Sequence, residues 1–503
     1  MSVLLFFEAQ RADKGVDRMR NPSVRNISFY AAAALIFSMM VYNVFYHLGT
    51  FPISSWDEAR HGVNAYEMLR HGNLIVNTYL GHPDYWNLKP PVSYWAIMIG
   101  YKLVGMNALG LRLMSGICAT LTAVAIALFV KKRFGSMAAI VSLLALSTST
   151  QYLLNHCART GDADSLFVFF FTLSILSLLA ARRQTRWLYA AGLACSLAFL
   201  TKSWHAGNIL LIMVLYFLIT RQWESGRWRA WWRAALTFVV PVLAWAFARY
   251  HYDGFSFFKQ MIGYDLLLRS TRPIEGHIGD ETYYGIILVH FFFWWLALLV
   301  GIMVISYMQG VRLLAFEGTD HRLKEDVIGI LLWICVPLLM FTIAKTKIRW
   351  YILPVYPPLC MLIGICASQL WRKGTWGARG VLLTGLLFVA SFYETNIQHY
   401  IHHPKPNFEL ALLQQTAQMP VHGYELFMYH PLHEKGRWPQ NAVLTAELAN
   451  DLKPRHGGLK TFLHTSRSLL LVKKAWFSKQ LEHKYHLSVL ASNRWGYILE
   501  KHA

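Results

Sequence analysis

Apolar runs about as long as a bilayer is thick recur along most of this chain, and that recurrence decides what it can fold into. Inside hydrocarbon no water is available to backbone N–H and C=O groups, so each such run must close its hydrogen bonds internally as an α-helix. One crossing takes about 20 residues. The composition agrees: 55% of the 503 residues are hydrophobic and only 15% are charged, against about 25% charged in soluble domains. Lys and Arg number 48 against 27 for Asp and Glu, a formal charge of +21. In a soluble protein that excess would suggest nucleic acid. Here no motif of that class is present, and the basic residues fall between apolar runs, where they set topology and meet anionic lipid head groups. Membrane lipids are therefore expected partners, and nucleic acid is not.

Charge also orients each crossing, because cytoplasmic loops are enriched in Lys and Arg. The first run, 27–48, follows Arg11, Lys14, Arg18, Arg20 and Arg25, which places the tail 1–26 in the cytoplasm and residues 49–90 outside. No signal-peptide cleavage pattern precedes this run, and it reads as a retained anchor. The piece Val92–Val104 contains Lys102 and is short for a crossing, so it reads as interfacial or re-entrant. One crossing in 91–130 then puts Lys131-Lys132-Arg133 inside. Later basic groups around Arg182, Arg227, Arg322 and Arg372 also fall inside.

The expectation is an all-α polytopic membrane protein of about 11 transmembrane helices, up to about 13. The membrane domain covers 27–394 and includes the external loop 49–91. The remainder, 395–503, is polar and mixed, with strand-like pieces at Tyr424–Tyr429, Leu469–Val472 and Tyr497–Glu500; a small extracytoplasmic α/β domain is expected. Basic cytoplasmic loops without sorting signals point to a bacterial inner membrane, with the C-terminal domain in the periplasm.

The unusual polar residues gather on the outer face. The loop 51–91 reads FPISSWDEARHGVNAYEMLRHGNLIVNTYLGHPDYWNLKPP. It opens on the adjacent carboxylates Asp57 and Glu58 and closes on Lys89 before Pro90-Pro91. Asp162, Asp164, Lys202, Arg269, Arg272, Lys347 and Tyr351 share that face. Charges beside spans are costly to desolvate, so each invites a functional reading. Carboxylates can deprotonate a hydroxyl, and Lys, Arg and Tyr can hold a phosphate and the charge that develops on it. Together they suit attack by an acceptor hydroxyl on a sugar-phosphate.

Plainer readings stand beside these. Asp57 and Glu58 can open a loop helix after Ser54-Ser55, Lys89 can snorkel, Asp162 and Asp164 can cap the next span, and Lys347 can anchor at the interface. His61, His71 and His82 share the loop without a helical ligand spacing, so a surface role is expected and no metal site is assigned. No cofactor is called for, although a divalent metal is compatible. Of six cysteines, Cys118, Cys195, Cys335, Cys360 and Cys366 lie in apolar runs as small buried residues and Cys157 lies near a predicted surface. No disulfide or zinc spacing occurs.

SWDEARHG, then LKPPVSYW, RTGDADSLFVFF, TKSWHAG and KIRWYILPVYPPL together resemble the C-type glycosyltransferases that use polyprenyl-phosphate sugars, among them the aminoarabinose transferases of lipid A and the protein O-mannosyltransferases. The resemblance covers residues 27–370. It implies transfer of a sugar from a polyprenyl-phosphate donor to a hydroxyl of lipid A, another glycan or a protein, at the periplasmic face and with inversion. It implies Asp57 as base, with Glu58 beside it. It implies Lys89, Arg269 (or Arg272) and Tyr351 at the donor phosphate, with Lys347 nearby, and Asp164 orienting the loop or the acceptor. Asp162 and Lys202 are further polar candidates. Two departures stand out: Leu88 replaces a Glu common before Lys-Pro-Pro, and Ser203-Trp204 replaces Gly-Pro. The alternatives are a transporter or flippase of lipid-linked sugars, which would need charges at span centres, and a non-catalytic assembly protein, which would tolerate loss of Asp57.

Overall fold

The computed structural model describes residues 22–226, 228–314, 321–431 and 438–501; Arg11, Lys14, Arg18 and Arg20 of the basic N-terminal tail lie outside them. The chain forms two compact units. The first comprises the described part of Met1–Tyr46, with Ser115–Arg159 and Ala163–His402; the second comprises His47–Met114, Thr160–Asp162 and His403–Ala503.

The first unit is the membrane body of a multi-pass protein. Among the described residues, eight helices are long and apolar enough to cross a bilayer. They include α1 (Pro22–Phe45), the long helix Ala108–Phe134, and Tyr283–Met308. Ser136–Ser147 and Asp164–Ala180 are shorter apolar helices of the same unit. The sequence reading ended the last span near 394; the helix Trp376–His402 continues to His402. Large apolar side chains of this unit are left exposed, such as Phe247, Tyr307 and Val300, which a lipid solvent tolerates. Without a hydrophobic drive between helices, close approach comes from small residues. A Cβ on Gly192 would sit 2.2 Å from the Ala234 carbonyl, and one on Gly364 would sit 2.2 Å from Ser142 Oγ. Cys335 is exposed on its span and Cys157 is buried, the reverse of the expectation: a span has a lipid side, and the 155–163 turn packs inward.

The second unit combines the first loop with the C-terminal segment, although the loop reads from sequence as part of the membrane domain. One core holds Ile53, Val63, Met68, Tyr94 and Ile97 of the loop with Leu410, Leu426, Leu444, Leu469 and Ile498. The loop supplies α2 (Asp57–His71), the hairpin strands β1 (Thr78–Tyr79) and β2 (His82–Pro83), and α3 (Val92–Val104). Ile99, Leu103 and Val104 are exposed on α3 while Tyr94, Ile97 and Tyr101 are buried, so one apolar face of the short helix packs into this core and the other is left open. The C-terminal segment contributes a five-stranded sheet of order β4-β3-β5-β7-β6. Its strands are β3 (Glu425–Tyr429), β4 (Lys453–Pro454), β5 (Ser468–Lys473), β6 (Leu487–Ser492) and β7 (Gly496–Lys501). β3 runs parallel to β4 and β5, while β7 is antiparallel to β5 and β6. All three strand-like pieces read from sequence are strands, joined by β4 and β6.

Candidate active site

Helix α2 begins at Asp57. Trp56 precedes it at φ 65 with no side-chain cap, so both carboxylates occupy the first turn, where negative charge meets the positive end of the helix dipole. The two neighbours then part company. Glu58 is 0% exposed and pairs with Arg112, 2% exposed. Arg112 Nε and Nη2 donate to it at 2.6 and 3.0 Å, and the backbone N–H groups of Ser54 and Gly161 donate at 2.7 and 2.9 Å. The guanidinium also reaches the carbonyls of Leu48, Phe51 and Pro52. This two-pronged, fully hydrogen-bonded pair fixes the chain leading into α2. Glu58 thus holds the loop, and its oxygens are already occupied.

Asp57 is half-buried. Its carboxylate accepts no hydrogen bond from any described residue, and it lies within 4.8 Å of the carboxylate of Asp162. One turn along α2, His61 donates from Nδ1 to the Asp57 carbonyl at 2.8 Å, and its buried Nε2 has no partner. Burial, then the nearby Lys89 charge, lowers the His61 pKa to about 4 against the opposing charges of Asp162 and Asp57. The ring is therefore neutral at pH 7, with Nε2 as an open acceptor. The surface role expected for the loop histidines does not hold for His61, because α2 turns that face into the unit. Lys89 is half-buried and donates to Asn87 Oδ1 at 3.1 Å.

A polar network fixes that end of the loop. Asn87 donates to Asn64 Oδ1 at 2.8 Å, and Asn64 donates to Asp84 at 3.0 Å. Arg60 forks onto Asp84 at 2.7 and 2.8 Å. Burial alone would raise the Asp84 pKa, but Arg60 holds it below the usual value. Leu88, the departure from the family pattern, is buried.

A second polar group lies within the membrane body. Asp164 opens the helix Asp164–Ala180 and pairs with Lys202, the last residue of Trp187–Lys202; both are buried. The Lys202 ammonium lies 5.2 Å from the centre of the Tyr351 ring, and His205 meets that ring edge-on at 4.4 Å. Ser203 takes φ 47, in the left-handed region that suits glycine, which explains why the family pattern has Gly at this turn. Ser203 Oγ donates to Asp265 at 3.1 Å.

Arg269 follows a π-helical stretch, Met261–Leu268, a geometry common at functional sites. It pairs with Asp265 and Glu275, each at 3.2 Å, and donates to the Tyr351 hydroxyl at 3.4 Å. Burial alone would lower its pKa, but Tyr351, Asp265 and Glu275 together raise it, so the guanidinium stays charged. Arg272 is exposed, and only its backbone is held, its carbonyl accepting from Thr346 Oγ1 at 2.8 Å. Lys347 is buried and donates to the carbonyls of Phe341 and Thr342, capping the end of the preceding span.

The structure thus brings Asp57, Asp162, His61 and Lys89 together in one unit, and Asp164, Lys202, Tyr351 and Arg269 in the other. The Arg272 side chain is exposed, and the Lys347 ammonium is engaged by backbone carbonyls. Arg112 escaped the sequence reading, although an arginine in the apolar context LGLRLMSGIC carries the signal of an intramembrane charge. Among the described residues of the second unit, the carboxylates of Asp57 and Asp162 lie close enough together to share a divalent cation. They offer fewer oxygens than the six or so such an ion takes, the rest falling to water or a bound phosphate.

Residues 88–245 match the family profile of the dolichyl-phosphate-mannose-protein mannosyltransferases. An uncharacterized protein of Aquifex aeolicus is 28% identical over 323 residues, 63% of this chain and 60% of the relative. An undecaprenyl phosphate-alpha-4-amino-4-deoxy-L-arabinose arabinosyl transferase of Pseudomonas aeruginosa is 27% identical over 371 residues, 71% of this chain and 64% of the relative. The match thus spans under two thirds of the length of these relatives. The fold is shared with ArnT from Cupriavidus metallidurans solved with undecaprenyl phosphate bound: TM-score 0.69 at 16% identity, over 95% of this chain and 98% of that one. The Archaeoglobus fulgidus oligosaccharyltransferase follows at TM-score 0.52 and 10% identity, over 86% of this chain and 65% of that one.

Proposed function

We propose that this chain, which resembles the C-type glycosyltransferases in sequence and shares their fold, moves a sugar from a polyprenyl-phosphate carrier to an acceptor hydroxyl. The observation that carries the reading is the contrast at residues 57 and 58: Glu58 is saturated with hydrogen bonds, while Asp57 presents a carboxylate with none. A general base needs that availability, and it needs to be held in place.

In the proposed reaction Asp57 accepts the proton of the acceptor hydroxyl. The oxygen forms a bond to the anomeric carbon as the bond from that carbon to the phosphate oxygen breaks. The electron pair leaves on the phosphate, which departs as polyprenyl phosphate, and attack in line with it inverts the configuration. Lys89, Arg269 and the Tyr351 hydroxyl hold the phosphate and the charge it gains. Asp164 keeps Lys202 oriented under Tyr351, and Asp162 sits beside the base. A monophosphate can be neutralised by such cations, so the reaction does not itself call for a metal. The reading places the first loop and the C-terminal segment in the periplasm of a bacterial inner membrane, with the N-terminus cytoplasmic. There nucleotide sugars are absent and a lipid-borne donor is required. The acceptor is a lipid, glycan or protein hydroxyl.

The test is sugar transfer in membranes, with a mixed pool of polyprenyl-phosphate sugars and wild type beside Asp57→Asn. Asparagine keeps the size but cannot take a proton, and a loss of about 100-fold or more is expected. Equal transfer by both proteins would remove Asp57 as the base. Lipid-linked sugar crossing the bilayer without transfer would replace the reading with a flippase.

A further inference from the structure

A cavity of about 410 Å³ lies within the second unit, between α2 and the segment Glu447–Arg455. Its size suits a small ligand. Tyr66, Glu67 and Arg70 of α2 line one wall; Glu447, Asp451 and Lys453 line the other. Most of these groups are already matched. Tyr66 and Arg70 each donate to Asp451 at 2.5 Å, and Arg455 pairs with Glu425 at 3.4 Å.

Glu447 is the exception. It is 8% exposed, and its buried Oε2 has no hydrogen-bond partner. Burial and the charges of Glu67 and Asp451 hold its carboxyl well above the usual range, and burial also raises Glu67. An unsatisfied buried carboxyl costs stability, and such groups are rare enough in folded proteins to require a reason. A leucine of similar size would fill this place in the helix Gln440–Asn450 at lower cost.

We infer that this cavity is a saccharide subsite that anchors the glycan of the acceptor, an inference that rests on the proposed transferase function. Sugar hydroxyls both donate and accept, which fits a cavity lined by the carboxyl groups of Glu67, Glu447 and Asp451 together with the Lys453 ammonium. A bound phosphate fits less well, since Arg70 and Arg455 are committed to carboxylates and the unmatched group is acidic. The position also fits. Glu67 lies ten residues along α2 from Asp57, about 15 Å at 1.5 Å per residue. The cavity wall and the proposed base thus share one rigid element, which fixes the spacing between an anchored sugar and the reacting hydroxyl.

The test uses the full chain in nanodiscs on a printed array of bacterial surface oligosaccharides, with no lipid donor present. Wild type is expected to retain at least one saccharide. Glu447→Leu is expected to lose it by about tenfold or more, a loss of about 1.4 kcal/mol, while melting at the same or a higher temperature. Lys453→Ala, at an exposed side chain, is expected to weaken retention as well. No retained saccharide, or equal retention by wild type and both cavity variants, overturns the subsite. Failure of the transferase reading is distinct: wild type would then transfer no sugar in membranes, whatever the array shows.

Discussion

The two polar groups are built on opposite plans. In the loop unit one carboxylate is saturated so that its neighbour can stay free: Glu58 takes the Arg112 fork and two backbone N–H groups, and Asp57 takes none. In the polar group of the membrane body the two cations are engaged. Arg269 is matched by Asp265 and Glu275, and Lys202 by Asp164. The difference follows from what each group must do under the proposed function. A base works through an unengaged oxygen. A phosphate clamp at a membrane surface must keep its cations charged while empty, and nearby carboxylates do that until an anion competes with them. Damage to the first plan should therefore appear as lost stability and damage to the second as lost donor binding.

The largest effect is expected from Arg112→Ala. It leaves Glu58 buried and unpaired, and breaking a buried pair costs about 3 to 5 kcal/mol. Thermal unfolding of the purified protein should show a clear drop in melting temperature. The double variant Arg112→Met/Glu58→Leu should recover most of it, since an apolar pair of similar volume removes both charges. A single variant that melts like wild type would mean that the pair does not hold the loop.

Arg269→Ala should leave the melting temperature close to wild type and reduce transfer on the order of 100-fold, as loss of one group stabilising transition-state charge does. Its binding of polyprenyl phosphate should weaken in parallel. Arg272→Ala, at an exposed side chain, should stay within about twofold of wild type. Equal losses in the two variants would show that the external loop contributes net charge and not a specific clamp.

Periodicity and charge made the membrane body legible, because a span needs only length and apolarity to declare itself. The strands at 425–429, 468–473 and 496–501 were legible for a similar reason, as short apolar runs between turn residues. What sequence could not show was that the first loop shares its core with the C-terminal segment. That depends on a shared buried cluster that includes Met68, Ile97, Leu410 and Leu444, which no local pattern encodes. The candidate residues were found, but their engagement was not. Asp57 and Glu58 look alike in sequence, and only Arg112, far along the chain, distinguishes them. Lys347 reads as a free cation until the carbonyls of Phe341 and Thr342 are seen to hold it.

His61 provides the finest probe of the loop plan, because burial shifts its titration. Its pKa is lowered from the ordinary 6.5 to about 4 by burial and by Lys89, against Asp162 and Asp57. Above pH 6.5 the folded and unfolded chains both carry it neutral, and its contribution is fully retained. As pH falls below that value the unfolded chain takes up a proton that the folded chain does not. Stability is therefore lost progressively between the two pKa values, by about 1 kcal/mol at pH 5.5. Melting temperatures measured from pH 7.5 to 4.5 for wild type and His61→Gln should converge on acidification, because the variant lacks this loss while every other histidine is common to both. Parallel curves would place His61 in water and remove the argument that α2 holds a neutral ring against the base. Convergence would show that the surroundings of Asp57 exclude a second positive charge while leaving the carboxylate itself open.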